Sequence, residues 1–215
     1  MRLLGAMLFV LVGAATQPSA PIALTNVYHS LEGQTLVIHG MVENRSAASL
    51  GRLVIDATGL TPSGSAAYGG SDGIPWGVAP GRDEAFSINL FLTGQLVREY
   101  VVRVALASAP NRPLASVRRS ADGSLYRPLL MSVVRLRGAV NGDLLSVRSD
   151  AGGWPVAQVT VEAVLLVPGH HAPHLRRLVL DVPADGEGRI RHGLAGAELV
   201  GLRVVDVRPK VLWED

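Results

Sequence analysis

Apolar and polar residues alternate with a period of two along most of the chain. Phe86, Ile88, Leu90 and Leu92 fall on one face of a segment whose other face holds Ser87 and Asn89. Tyr100, Val102, Val104 and Leu106 oppose Val101, Arg103 and Ala105. Leu178, Leu180 and Val182 oppose Arg177 and Asp181. This alternation marks strands with one buried face. Turn signals punctuate the runs: Leu31-Glu32-Gly33, Pro80-Gly81, Asn141-Gly142, Pro168-Gly169 and Asp185-Gly186. Helical periodicity is nearly absent, with short candidates only at 93–97 and 195–200. Many short strands separated by such turns predict an all-β sandwich architecture.

The pattern divides the chain. Residues 108–128 hold Pro110, Pro113 and Pro128, four arginines and few large apolar side chains. That composition reads as a linker or a long crossing loop. The runs on either side resemble each other. Strand 52–57 leads to Gly64, and Gly81 follows 17 positions later; strand 158–163 leads to Gly169, and Gly186 follows 17 positions later. The expected organisation is a signal segment (1–20), a first sandwich (21–107), a linker (108–128) and a second sandwich (129–215). In fold-class terms this is two tandem Ig-like or fibronectin-III-like β-sandwiches behind an N-terminal signal segment.

The signal segment is Arg2 followed by an uncharged run from Leu3 to Ala15. Those 13 residues fall short of the roughly 20 that span a bilayer and fit the apolar region of an export signal. Cleavage is expected after Ala15, because Pro21 disfavours a cut after Ala20. The competing reading is an uncleaved anchor, which would be the chain's one membrane contact. Either reading makes the protein periplasmic or secreted.

Composition narrows the function classes. Hydrophobic residues make up 48% and charged residues 18%, so the chain has ample apolar surface to bury and is not disordered. The absence of cysteine excludes disulfides, thiolate metal sites and thiol catalysis. Of 20 basic residues only Lys210 is not arginine, and 18 acids nearly balance them. The basic residues are spread along the chain, which argues against a nucleic-acid partner.

Candidate chemistry is sparse. His170, His171 and His174 could gather a divalent metal on a hairpin tip, since neutral imidazole suits zinc, copper or nickel. Pro173 and the lack of a nearby carboxylate favour an ordinary solvated loop, so no metal is assigned. His29, His39 and His192 read as isolated. The carboxylates Asp83-Glu84 and Asp185 with Glu187 sit at turn tips, where they serve solubility better than acid–base catalysis. No nucleophile elbow, zinc helix, phosphate loop or calcium loop is present. The expectation is therefore no enzyme and no cofactor. The Gly-rich stretch 63–81 reads as a long loop carrying Tyr68 and Trp76, with Trp154 as the matching aromatic of the second half. Aromatics of this kind anchor partners; Trp76 could instead fold back and plug the sandwich. The arginines of 108–128 read as solvated.

The first half also resembles a known family. Leu36-Val37-Ile38-His39-Gly40-Met41-Val42-Glu43-Asn44-Arg45-Ser46, then the strand 53–57 and Ala79-Pro80-Gly81 leading into Phe86, are similar to small bacterial envelope modules of the FxLYD and DUF3426 type. The Leu-Tyr-Asp element itself is missing; Asn26-Val27-Tyr28-His29 stands in its place. The resemblance, over about residues 23–107, implies a non-catalytic Ig-like module with no active site to transfer. In the residues themselves, Gly40 suits a bend or a close approach. Asn44 and Ser46 suit a strand-ending turn and also match a glycosylation sequon. The expected function is an exported binding, scaffold or accessory-subunit protein of the bacterial envelope, partnered by an envelope protein or complex. The alternative is a carbohydrate-binding protein that holds a glycan on exposed aromatics.

Overall fold

The computed structural model describes residues 20–169 and 172–210. The signal segment and the tip of the histidine loop thus lie outside the described residues. Seven strands make the first half: β1 (Ile22–Glu32), β2 (Thr35–Asn44), β3 (Leu53–Leu60), β4 (Ala66–Ile74), β5 (Asp83–Phe91), β6 (Glu99–Leu106) and β7 (Pro113–Ser120). A short 3-10 turn (Gly123–Leu125) and helix α1 (Tyr126–Val133) follow. The second half holds β8 (Arg135–Asn141), β9 (Leu144–Asp150), β10 (Val156–Val167), β11 (His174–Pro183), β12 (Glu187–Arg191) and β13 (Glu198–Pro209).

All pairings are antiparallel, and the protein is all-β in two sandwiches. The first packs sheet β1-β2-β5 on sheet β4-β3-β6-β7. The second packs β8-β9-β12 on β11-β10-β13. The second half therefore repeats the first strand for strand, except that β7 has no counterpart among the described residues.

The alternation seen in the sequence becomes the core. Phe86, Ile88 and Leu90 of β5 face Tyr100, Val102 and Val104 of β6 and Leu53, Ile55 and Ala57 of β3, all buried. Gly40 of β2 lies opposite Phe86 in the ladder. A Cβ there would sit 2.5 Å from the Phe86 ring, so close approach of the ring explains this glycine.

Along one edge the first sandwich is nearly closed. Gly70 lets β4 run against β5, where a Cβ would meet the Asn89 carbonyl at 2.6 Å. The Asp72 carboxylate accepts the Ser87 main-chain N–H at 2.8 Å.

The linker expected at 108–128 is corrected. Residues 113–120 are the fourth strand of a sheet, paired with β6 from Glu99 to Ala105. An edge strand needs only one partner and a few inward side chains, here Ala115 and Val117, so scarce apolar residues do not prevent it. Pro113 opens the strand, a position where a missing N–H is tolerated. The first sandwich consequently ends near Ser120, not at 107. The helix was also missed. Tyr126, Leu129 and Leu130 are buried at helical spacing, Asp122 accepts the Ser124 N–H ahead of it at 2.8 Å, and Pro128 sits in the first turn, where it costs little. The helical candidates at 93–97 and 195–200 are not helices.

Buried side chains form one connected cluster from Ile22 to Val207, through Tyr126, Leu130 and Trp154. The Tyr126 hydroxyl donates to the Val97 carbonyl at 2.9 Å. A smaller cluster, Leu165, Val167 and Ala197, closes the far end.

Candidate binding site

At the end of the first sandwich next to Pro21, three connections meet: 45–52, 75–82 and 107–112. Arg45 N–H donates to the Pro21 carbonyl, and Ala107 N–H to the Arg52 carbonyl. Asn44 organises this end. It is fully buried; its amide nitrogen donates to the carbonyls of Ala48 (2.8 Å) and Val78 (2.9 Å), and its oxygen accepts from the Ser46 N–H and hydroxyl. The turn role expected of Asn44 and Ser46 is thus realised. Every polar position of the Asn44 side chain is occupied in the interior.

Trp76 projects from this end. Ile74 and Val78 on either side are buried, and the turn at Pro75-Trp76 leaves Trp76 outside, 75% exposed. The plug is made by its neighbours. The turn that displays the indole is rigid. Gly77 has φ +73°, and a Cβ there would lie 2.0 Å from the Leu50 carbonyl oxygen. Val78 and Leu50 exchange two main-chain hydrogen bonds, 2.9 and 3.2 Å.

The other two aromatics pack into the fold. Tyr68 lies on β4, not in a loop; residues 66–74 of the stretch 63–81 are strand. Its ring packs against the core. Its hydroxyl accepts the N–H groups of Thr93 and Gln95 and donates to the Gln95 carbonyl, all within 3.1 Å. It pins the connection from β5 to β6. Trp154 is only 7% exposed and belongs to the core. Of the glycines at 63–81, Gly70 and Gly77 are closely packed, while Gly64 and Gly81 take positive φ in open space.

The polar candidates disperse. His174 is exposed at the start of β11, while His170 and His171 lie outside the described residues. No cluster of three metal-ligating side chains occurs among the described residues. Asp185 accepts the Ala151 N–H at 2.7 Å, and Glu187 pairs with Arg189 at 2.9 Å. Arg118 pairs with Glu99, and Arg127 with Asp206 at 2.6 Å. His29, read as isolated, has a partner: its Nδ1 lies 3.1 Å from the Tyr100 hydroxyl. Burial pushes the Tyr100 phenol up to about 12. Burial also holds His29 below its ordinary value, against a smaller opposing pull from Asp122. His39 stacks on Tyr28 at the surface, centroids 5.1 Å apart.

One group of polar residues escaped the sequence reading. Arg135 and Arg137 of β8 and Arg148 of β9 line an open groove of about 390 Å³ with Asp150 and Asp185. The period-two spacing of the β8 arginines was legible, but their pairing with Arg148 depends on strand register. An apolar groove of about 470 Å³ lies between the halves, bounded by Pro62, Leu96 and Pro155.

No protein-family model matches the chain, and no curated protein is significantly similar to it. Solved structures give partial likenesses. A β-glucuronidase from Bacteroides uniformis aligns at 18% identity and TM-score 0.36, over 62% of this chain and 15% of the enzyme. A β-glucuronidase from glycoside hydrolase family 2 aligns at 10% identity and TM-score 0.35, over 46% and 11%. β-Glucosidase 3B from Thermotoga neapolitana, in complex with glucose, aligns at 19% identity and TM-score 0.32, over 47% and 16%. This chain spans less than a fifth of each of these proteins, and likeness at this level bears on neither substrate nor activity.

Proposed function

We propose that this chain is a non-catalytic, exported binding, scaffold or accessory-subunit protein of the bacterial envelope, and that Trp76 anchors its contact with a protein partner. The observation that carries the reading is the presentation of Trp76. A large indole, 75% exposed, is held on a turn fixed by Gly77 and by the Val78–Leu50 bonds. Little loop entropy is then lost on binding, and an exposed tryptophan is the residue type that anchors interfaces. Export rests on the uncharged run 3–15 behind Arg2. The glycan alternative loses two of its three aromatics to packing, Tyr68 and Trp154.

Two measurements test this. Trp76→Ala is expected to weaken capture of the partner by about 2 kcal/mol or more while its denaturation midpoint stays within about 0.5 kcal/mol of the parent. A midpoint loss of about 3–5 kcal/mol would show a core role instead. Sequencing of exported material should begin at Thr16; Met1 retained in a membrane fraction would overturn the cleaved-signal reading.

A further inference from the structure

The outer face of sheet β8-β9-β12 carries arginines that the fold does not need. Arg135 and Arg137 stand two apart on β8 and share a face. Arg148 of β9 is the direct register partner of Arg137. Like charges placed opposite each other weaken an antiparallel pair, so this arrangement works against the sheet.

Carboxylates stand beside these arginines: Asp150 is the register partner of Arg135, and Glu187 feels the charge of Arg148. One oxygen of Asp185 accepts the Ala151 N–H and one oxygen of Asp150 the Gly152 N–H, at 2.7 and 2.8 Å. Glu187 faces Arg148 in register, yet both its oxygens are taken by Arg189, at 2.9 and 3.3 Å. Among the described residues no carboxylate pairs within 4.0 Å with Arg135, Arg137 or Arg148. All three line the groove of about 390 Å³, and Arg137 and Arg148 also line an adjoining one of about 290 Å³.

We infer that this groove is an oxyanion site, taking a ligand that carries two or more phosphate or sulfate groups. The guanidinium fork matches such groups bidentately. Residues two apart on a strand are separated by about 7 Å and directly opposed residues by about 5 Å. Three forks at those spacings reach neighbouring anionic groups better than a single one. The site lies on the second sandwich and is independent of Trp76.

Calorimetric titration at low salt with tripolyphosphate, and separately with inorganic phosphate, tests the inference. Tripolyphosphate is expected to bind more tightly than phosphate, with an affinity that falls as salt is added. Arg137→Gln with Arg148→Gln, both at exposed positions, should weaken it by about tenfold or more. Arg52→Gln with Arg82→Gln, on the first sandwich, should leave it unchanged. Co-sedimentation with vesicles of phosphatidylcholine and phosphatidylglycerol in equal parts identifies the source. Vesicle binding lost in the Arg137/Arg148 variant places the phosphates on lipid headgroups. Tripolyphosphate binding without vesicle binding places them on a soluble ligand. Failure of both probes to bind, or an equal loss in the Arg52/Arg82 control, overturns the site.

Discussion

Individual side chains at the Pro21 end of the first sandwich show how far composition can be read. Trp76 had two readings, anchor or plug, because a lone aromatic beside glycines fits either. The arbiter was the placement of Ile74 and Val78, which already fill the end of the sandwich. Gly40 was legible as a site of close approach, but not what approaches. With the Phe86 ring 2.5 Å from the position of a Cβ, Gly40→Ala should cost about 1–3 kcal/mol through overpacking. Phe86→Leu in the same chain should recover part of that loss, and a double-mutant cycle by urea melts measures the coupling. His29 makes a different prediction. Its partner lies 71 residues away in sequence, so no local pattern could have revealed it. Burial lowers its folded-state pKa from the ordinary 6.5, so the unfolded chain takes up the proton first as pH falls. The stabilising preference for neutral His29 is complete above about 6.5 and is lost as pH drops from there toward the folded value. Replacing His29 with Gln should flatten stability against pH in that interval.

Strands with a strong alternation were legible from sequence, and those held mainly by main-chain bonds were not. β5 and β6 display their buried faces as unbroken period-two runs. β7 carries only Ala115 and Val117 inward, and its single proline and two arginines mimic a linker. The helix that follows was hidden by Pro128, which reads as a breaker unless its place in the first turn is known. This changes the expected response to protease. Arg118 and Arg119 lie within a paired strand, whereas Arg112 is exposed in the turn before it. Limited trypsinolysis should therefore spare this region: the bond after Arg112 leads into Pro113, which trypsin does not cut, and Arg118 and Arg119 are held in the strand. Early cleavage at the latter pair would mean that β7 detaches readily from β6.

The two sandwiches share a strand order, yet they do not behave as beads on a string. The buried cluster runs without a break from Ile22 to Val207, with Ala121 and Tyr126 packed where a free linker was expected. Differential scanning calorimetry should show one cooperative transition with equal calorimetric and van't Hoff enthalpies; two resolved transitions would return the halves to independence. Duplication of strand order was within reach of sequence spacing, but the continuity of the core was not, because it is carried by residues assigned to the linker. The closed seam between β4 and β5 has a consequence for life at high local concentration. A bare edge strand invites a neighbouring molecule to add its own strand and so seeds fibrils. By giving the Ser87 amide an internal acceptor and pressing β4 close at Gly70, the first sandwich withdraws that invitation and resists edge-to-edge aggregation on this side.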